Sequence, residues 1–430
     1  MKYIYYWITL AKVELLMRAE IINIGDELLI GQTINTNGGW LGRELSLIGI
    51  ETIRSISIAD RKEDILNQLK ESSSKAELVI ITGGLGPTKD DITKHTLCEY
   101  FNTSLVKNLD IESSIRSYFE AKEKTILQVN LDQALLPKSC IILPNKLGTA
   151  SGMWFDQSGV IYVALPGVPY EMKHLMETQV LPKLSGIVEN NIFHRTVKTI
   201  GVGESFLSNQ LCDFENRLRS EGLGLAYLPS PGTVKLRISS QGLDNQKNID
   251  SVSKFVKELG ELIPELIYGY DDDEIIDIVS KTLKSSGQTV SVCESCSGGY
   301  LSHLFTSKSG SSEFFLGGVV AYSNEIKKNI LGVKNNSLES YGAVSTIVVE
   351  EMVRGGLKTF GSDYCIAISG IAGPNGGSIE KPVGLVYVAI GNKNSIKSFK
   401  FQFGNTRINN IKTSAIFALN ELRKFLLEET

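Results

Sequence analysis

From Met17 onward the chain alternates short apolar runs with segments whose apolar residues recur every three or four positions. AEIINIG (19–25), ELVIITGG (77–84) and GVIYVALPG (159–167) are short, mainly apolar runs ending at or near glycine. That is how strands buried on both faces of a parallel sheet read. Between the first two, 35–48 and 61–72 carry helical spacing, with Leu41, Leu45 and Ile48 on one face and Ile65, Leu66 and Leu69 on another. Strands alternating with helices of this length predict a doubly wound α/β sheet. Residues 186–264 break the rhythm: RTVKTIG and TVKLRISS read as strands and 204–220 as a helix, a small α+β unit. The acidic run Asp271 to Glu274 reads as a linker and helix-start charge. From 275 a second α/β pattern begins, with helices at 275–285, 299–307 and 345–359. Its strands are QTVSV, FLGGVVAYS, CIAIS and LVYVAIG, and a long amphipathic helix ends the chain.

This pattern divides the 430 residues into an extension (1–16) and three domains (17–185, 186–264 and 265–430). The extension is apolar but interrupted by Lys12 and Glu14. It lacks a cleavage pattern and is too short to span a bilayer, and no other run reaches membrane-spanning length. A net charge of −4 gives no electrostatic footprint for nucleic acid, and the middle domain lacks the G-x-x-G loop by which KH domains clamp a backbone. Six scattered cysteines suit a reducing compartment rather than a disulfide framework, so a cytoplasmic location is expected.

Candidate chemistry sits in the turns. In the first domain GGLGPTKDD (83–91) lies between a strand and a helix, where Gly83, Gly84, Gly86 and Thr88 offer amides and a hydroxyl to an anion. Asp90 and Asp91 read either as ligands for a divalent metal or as helix caps. Asp26 and Glu27 follow the first strand, at the sheet edge where open α/β folds bind ligands. LGTASG (147–152) contributes Gly148 and Thr149, and LPGVPYEM (165–172) contributes Gly167. In the last domain CESCSGGYLSHLF (293–305) allows three readings: a C-x-x-C redox pair, half a zinc site, or an anion loop built from Ser295, Ser297, Gly298 and Gly299. Serines recur in SGSSEFF (309–315). A nucleophilic serine needs a base, yet the domain holds one histidine, His303, on a helix away from the serine loops, and no G-x-S-x-G elbow. Lysine serves instead only if its pKa falls from about 10.4, since about one lysine in a few thousand is neutral at pH 7. Lys327 is a candidate, though spacing alone does not bring it to Ser312, fifteen positions away.

The strings GDELLIGQ, NTN, TGGLGPTKDD, LGTASG and LPGVPYEM, in this order, resemble the N-terminal domain of CinA-like proteins, a relative of the molybdopterin-binding fold. ESCSGG, SGSS, GGVVAYSNEIKKNILGV, GAVS, SGIAGPNGG and KPVGLVYVA resemble the family's C-terminal domain, which also occurs alone as nicotinamide-nucleotide amidase. The resemblance implies a molybdopterin-binding-like sheet, a KH-like middle domain and an amidase domain. It implies hydrolysis of the carboxamide of nicotinamide mononucleotide, with Ser312 as nucleophile, Lys327 as base and Tyr322 nearby. Ser295, Ser369 and Arg407 would bind substrate, and the loop containing Gly373 would steady the oxyanion. For the N-terminal domain it implies an ADP-ribose pyrophosphatase using a divalent metal such as Mg; the amidase needs none. A homodimer is likewise implied. Asp26 stands where the family commonly has Thr, Ser151 where it has Pro, and Ser297 where it has Thr. The rival expectation is a non-catalytic nucleotide- or molybdopterin-binding protein acting as a competence or repair partner.

Overall fold

The computed structural model describes residues 17–88, 91–188, 191–242, 244–404 and 406–429; the extension 1–16 and Asp90 lie outside them. The N-terminal domain is built on strands β1 (Arg18–Ile24), β2 (Glu51–Ile58), β3 (Leu78–Thr82), β6 (Ile141–Leu143), β7 (Gly152–Gln157) and β8 (Val160–Leu165). Two short strands, β4 (Leu105–Lys107) and β5 (Leu135–Pro137), pair separately. The six-stranded sheet runs β2-β1-β3-β8-β7-β6. Its first four strands are parallel and its last two antiparallel. The mainly apolar runs are explained by burial on both faces. Ile21, Ile80 and Val163 pack into one core while Ile22, Ile81 and Ala164 pack into the other. The expected doubly wound sheet is therefore present, extended by an antiparallel edge.

The middle sheet has the order β10-β11-β9-β12, from β9 (Asn191–Ile200), β10 (Gly224–Ser230), β11 (Thr233–Gly242) and β12 (Ile267–Tyr270). Two sequence expectations are corrected here. The helix expected over 204–220 is two helices, Glu204–Gln210 and Cys212–Ser220, because Leu211 leaves helical geometry at φ −99° and ψ 10°. The linker part of the acidic run is a tied turn, while its helix-start reading holds, with Glu274 at the N-cap of the helix Ile275–Ser286. Asp271 accepts a hydrogen bond from the Thr196 amide at 2.9 Å, and Asp273 accepts one from the Tyr270 amide at 2.9 Å.

The C-terminal domain carries a five-stranded sheet of order β14-β13-β15-β16-β17. The strands are β13 (Val290–Glu294), β14 (Phe315–Val320), β15 (Tyr364–Gly370), β16 (Leu385–Gly391) and β17 (Ile396–Gln402). β14, β13 and β15 are parallel, and β16 and β17 complete the sheet antiparallel. The closing helix, Arg407–Glu428, lays Ala415, Ala418, Leu419 and Leu422 on one face of this sheet, and Val349, Met352 and Val353 of the helix Thr346–Phe360 cover the other. Three parallel strands thus point their C-terminal ends at the same edge, the usual place for a ligand in an open α/β sheet.

Candidate functional site

That edge holds a cavity of about 210 Å³. β13 delivers Ser295 and Cys296 to it, β14 leads into Tyr322, Asn324 and Lys327, and β15 ends in Ser369 and Gly370. Lys327 lies on the helix Asn324–Leu331, whose start is fixed by Ser323 accepting from the Ile326 amide. The lysine is 1% exposed, and its Nζ has three hydrogen-bonding partners. These are the carbonyls of Ala321 at 2.8 Å and Tyr322 at 3.3 Å, and Ser295 Oγ at 3.1 Å. Burial lowers its pKa below the ordinary lysine value, and no carboxylate offsets that effect. Two carbonyls fix two N–H bonds, so the remaining tetrahedral position of nitrogen faces the serine hydroxyl. In the neutral amine that position is the lone pair.

The sequence pairing of Lys327 with Ser312 is corrected by this geometry. β13 and β14 run parallel with Glu294 beside Val320. Ser295 follows the first strand, whereas Ser312 precedes the second. Six residues of strand at about 3.3 Å each separate Ser312 from the cavity edge, about 20 Å. Ser312 is exposed on the turn Ser311–Glu313 and does not line the cavity. The hydroxyl that meets Lys327 is Ser295.

The anion-loop reading of Ser295, Ser297, Gly298 and Gly299 changes as well. The amides of Gly299, Leu301 and Ser302 turn inward to the carboxylate of Glu294, and that of Tyr300 bonds to the Ser297 carbonyl. They are unavailable to a phosphate. The C-x-x-C does not act as a pair: Cys293 Sγ lies 3.7 Å from Cys365 Sγ in the core, while Cys296 lines the cavity. Burial pushes the Cys296 thiol up to about 12, so it stays protonated and inert.

At the cavity's rim Arg407 donates to the Gly373 carbonyl at 2.7 Å and to the Tyr322 hydroxyl at 3.2 Å. Tyr322 is 61% exposed, so the guanidinium stands where the cavity opens to solvent. Ser369 donates to the Ala343 carbonyl at 2.7 Å, holding the segment that supplies Ala343 and Val344 to the wall. The sequence does not single out Asn324, Ala343 or Val344, and Cys296 enters it only as half of the C-x-x-C. Asn324 had a signal, standing three residues before the candidate lysine, which places it on the same helical face.

In the N-terminal domain the glycine loops gather at the C-terminal ends of β1, β3 and β8. Asn37 donates to the Gly167 carbonyl at 2.8 Å and to Thr82 at 3.2 Å. Gly83 (φ +117°) leaves no room for a side chain, since a Cβ would sit 2.1 Å from the Ile24 carbonyl oxygen; Gly84 (φ +65°) packs as closely against Thr93. Gly148 donates its amide to Asn145 at 3.1 Å, beside Thr149 in the same turn. Asp26 and Glu27 are exposed at the start of their turn. Asp91 Oδ2, next to Gly86, accepts from the Thr88 amide at 2.8 Å and its hydroxyl at 2.6 Å, the pattern of a turn-holding carboxylate. Among the described residues no group of three or more His, Cys, Asp or Glu converges on a metal-sized site. No helix among the described residues is long and apolar enough to cross a membrane.

Comparison with known proteins divides the chain in the same order. The CinA C-terminal domain model matches residues 272–426, the probable molybdopterin binding domain model 20–186, and the damage-inducible protein CinA KH domain model 194–269. A CinA-like protein of Cytophaga hutchinsonii is 43% identical over 95% of this chain and 98% of its own length. One of Flavobacterium psychrophilum is 42% identical over 96% and 99%. Among solved structures, a CinA superfamily protein of Klebsiella pneumoniae is 31% identical, covering 36% of this chain and 99% of its own, with a TM-score of 0.35. CinA of Thermoplasma acidophilum, described as of unknown function, is 30% identical over 39% and 97%, with a TM-score of 0.36.

Proposed function

We propose a function from one premise: the chain belongs to the CinA family, with a molybdopterin-binding-like sheet, a KH-like middle domain and a C-terminal α/β domain. The C-terminal domain hydrolyses the carboxamide of nicotinamide mononucleotide to nicotinate mononucleotide and ammonia, using Ser295 and Lys327. The observation that carries this reading is the 3.1 Å contact between Lys327 Nζ and Ser295 Oγ at the cavity wall.

The neutral Lys327 amine takes the Ser295 proton as Oγ bonds to the carboxamide carbon. The resulting ammonium returns that proton to the amide nitrogen as the C–N bond breaks, releasing ammonia and leaving an ester on Ser295. Water then attacks the ester with Lys327 again as base, freeing the carboxylate product and the serine hydroxyl. Among the described residues the Ser297 amide bonds to no backbone carbonyl, so a donor for the developing oxyanion lies beside the nucleophile. A cavity of 210 Å³ is smaller than the roughly 300 Å³ at which sites for whole drug-sized ligands begin. It suits the pyridine ring with its carboxamide, while the ribose phosphate stays at the mouth beside Arg407.

The test is ammonia release from nicotinamide mononucleotide by the full chain. Ser295→Ala is expected to abolish it and Ser312→Ala to leave it intact. Activity surviving in Ser295→Ala and lost in Ser312→Ala refutes the assignment. A wild-type chain that binds the nucleotide and releases no ammonia favours the non-catalytic binding protein instead. For the N-terminal domain, we propose binding of a phosphate-bearing ligand, ADP-ribose or a molybdopterin, at the glycine loops. Support comes from the close packing of Gly83 and Gly84 at the sheet's C-terminal edge.

A further inference from the structure

We propose that Glu294 is the positioning residue of the C-terminal site: its buried carboxylate fixes the turn that carries Ser295 and so sets the nucleophile against Lys327. The proposal rests on the amidase reading above. Glu294 is the last residue of β13 and is fully buried. A carboxylate removed from water is costly unless its oxygens are bonded. Here Oε2 accepts from the amides of Gly299 at 3.1 Å and Leu301 at 3.0 Å, and Oε1 from the amide of Ser302 at 2.8 Å and its hydroxyl at 2.5 Å. No lysine or arginine forms an ion pair with it among the described residues, so oriented backbone dipoles stabilise its charge.

All four donors lie downstream of Ser295, and the carboxylate lies immediately upstream. The side chain therefore ties the two sides of the Ser295–Gly298 turn together. Gly298 (φ +62°) and Gly299 (φ +97°) supply the left-handed backbone that turns these amides inward. Ser295 is also gripped through its own backbone, its amide donating to the Ile368 carbonyl at 2.9 Å and its carbonyl accepting from Gly298 at 3.2 Å. Without the carboxylate, the far side of the turn loses its anchor while the lysine, held from another helix, stays in place. The distance between base and nucleophile is then what changes.

Glu294→Gln keeps the size but sets an –NH₂ against N–H donors. It is expected to lower kcat for ammonia release by about 100-fold, the scale of an ångström of misplacement, with KM within about threefold because Arg407 and Ser369 sit on other elements. The inflection of the pH profile should stay where it is, since the base is untouched. Ser302→Ala removes one donor and should lower kcat by about threefold to tenfold with a modest fall in melting temperature and KM unchanged. It decides the matter if Glu294→Gln does not fold. An active wild type with folded variants whose kcat lies within about twofold of it, or whose KM alone changes, overturns this inference. A wild type that releases no ammonia overturns the amidase reading beneath it.

Discussion

Replacing Lys327 by arginine keeps a long cation in place and removes its ability to act as a base. An unperturbed lysine of pKa about 10.4 is neutral in about one molecule in 2,500 at pH 7, and each unit of depression raises that fraction tenfold, worth about 1.4 kcal/mol. Lys327 is 1% exposed and bonds to two carbonyls and a hydroxyl, so burial lowers its pKa, outweighing the opposing effect of Cys296 beside it. Ammonia release measured from pH 5.5 to 10 should rise with pH and level off at an apparent value below that of free lysine. Lys327→Arg should lose about 10³-fold and the rise with it, as expected for a lost general base. Stability follows the same sign. Between the depressed folded value and about 10.4 the unfolded chain holds a proton that the folded chain has released, so stability rises with pH across that window. Below the window both states are protonated and the cost of the buried ammonium is felt in full. The stability of wild type relative to Lys327→Met should therefore increase as pH is raised. Lys327→Arg within tenfold of wild type, or a relative stability that falls with rising pH, refutes the reasoning.

Two further expectations concern the N-terminal domain. Glu20 is 1% exposed and bonded to Arg54 at 2.9 Å and Ser72 at 2.6 Å, so Arg54→Ala should destabilise the domain by about 3 kcal/mol by leaving a buried charge. Thermal unfolding should drop by about 6–12 °C and recover in the Arg54→Ala, Glu20→Gln double variant; a drop under about 1 °C contradicts the account. Asp91→Asn should keep stability and any hydrolysis of ADP-ribose with and without Mg, whereas Asp91→Ala should lose about 1 kcal/mol, since the carboxylate holds the Thr88 turn. Loss of Mg-dependent hydrolysis in Asp91→Asn at unchanged stability makes Asp91 a metal ligand instead.

Strands buried on both faces were the most legible part of the sequence. β1, β3 and β8 announce themselves because apolar residues predominate on both faces, although β1 also carries Glu20 and Asn23. β2, reading ETIRSISI, was missed because it is an edge strand with partial burial alternating along it. Its period of two is present, but it sits between two stronger helical patterns. The break at Leu211 left no trace, since the apolar spacing continues through it and Leu207, Leu211, Phe214 and Leu218 are all buried. Asp91 was legible as one of two roles, and its bonds to Thr88, three residues earlier in the chain, accord with the turn-holding one.

The serine that meets Lys327 was not legible for a topological reason. Ser312 came from the family resemblance, and spacing along the chain gave no ground for choosing among Ser295, Ser312 and Ser369. In a parallel sheet such spacing says little, because neighbouring strands bring together residues at like positions in successive units. Ser295 follows β13 as Ala321 follows β14, and Glu294 pairs with Val320, so the two exits are adjacent although 26 residues apart. From Ala321 the chain turns into a helix, and six residues on Lys327 reaches back to the Ala321 carbonyl and to Ser295. Ser369 reaches the same edge from the end of β15, the third parallel strand. A serine that precedes its strand cannot reach this edge, however short the loop that leads to it. The cavity is therefore lined from strand exits and from the helices near them, and the glutamate that ends β13 is placed to hold the turn that carries Ser295.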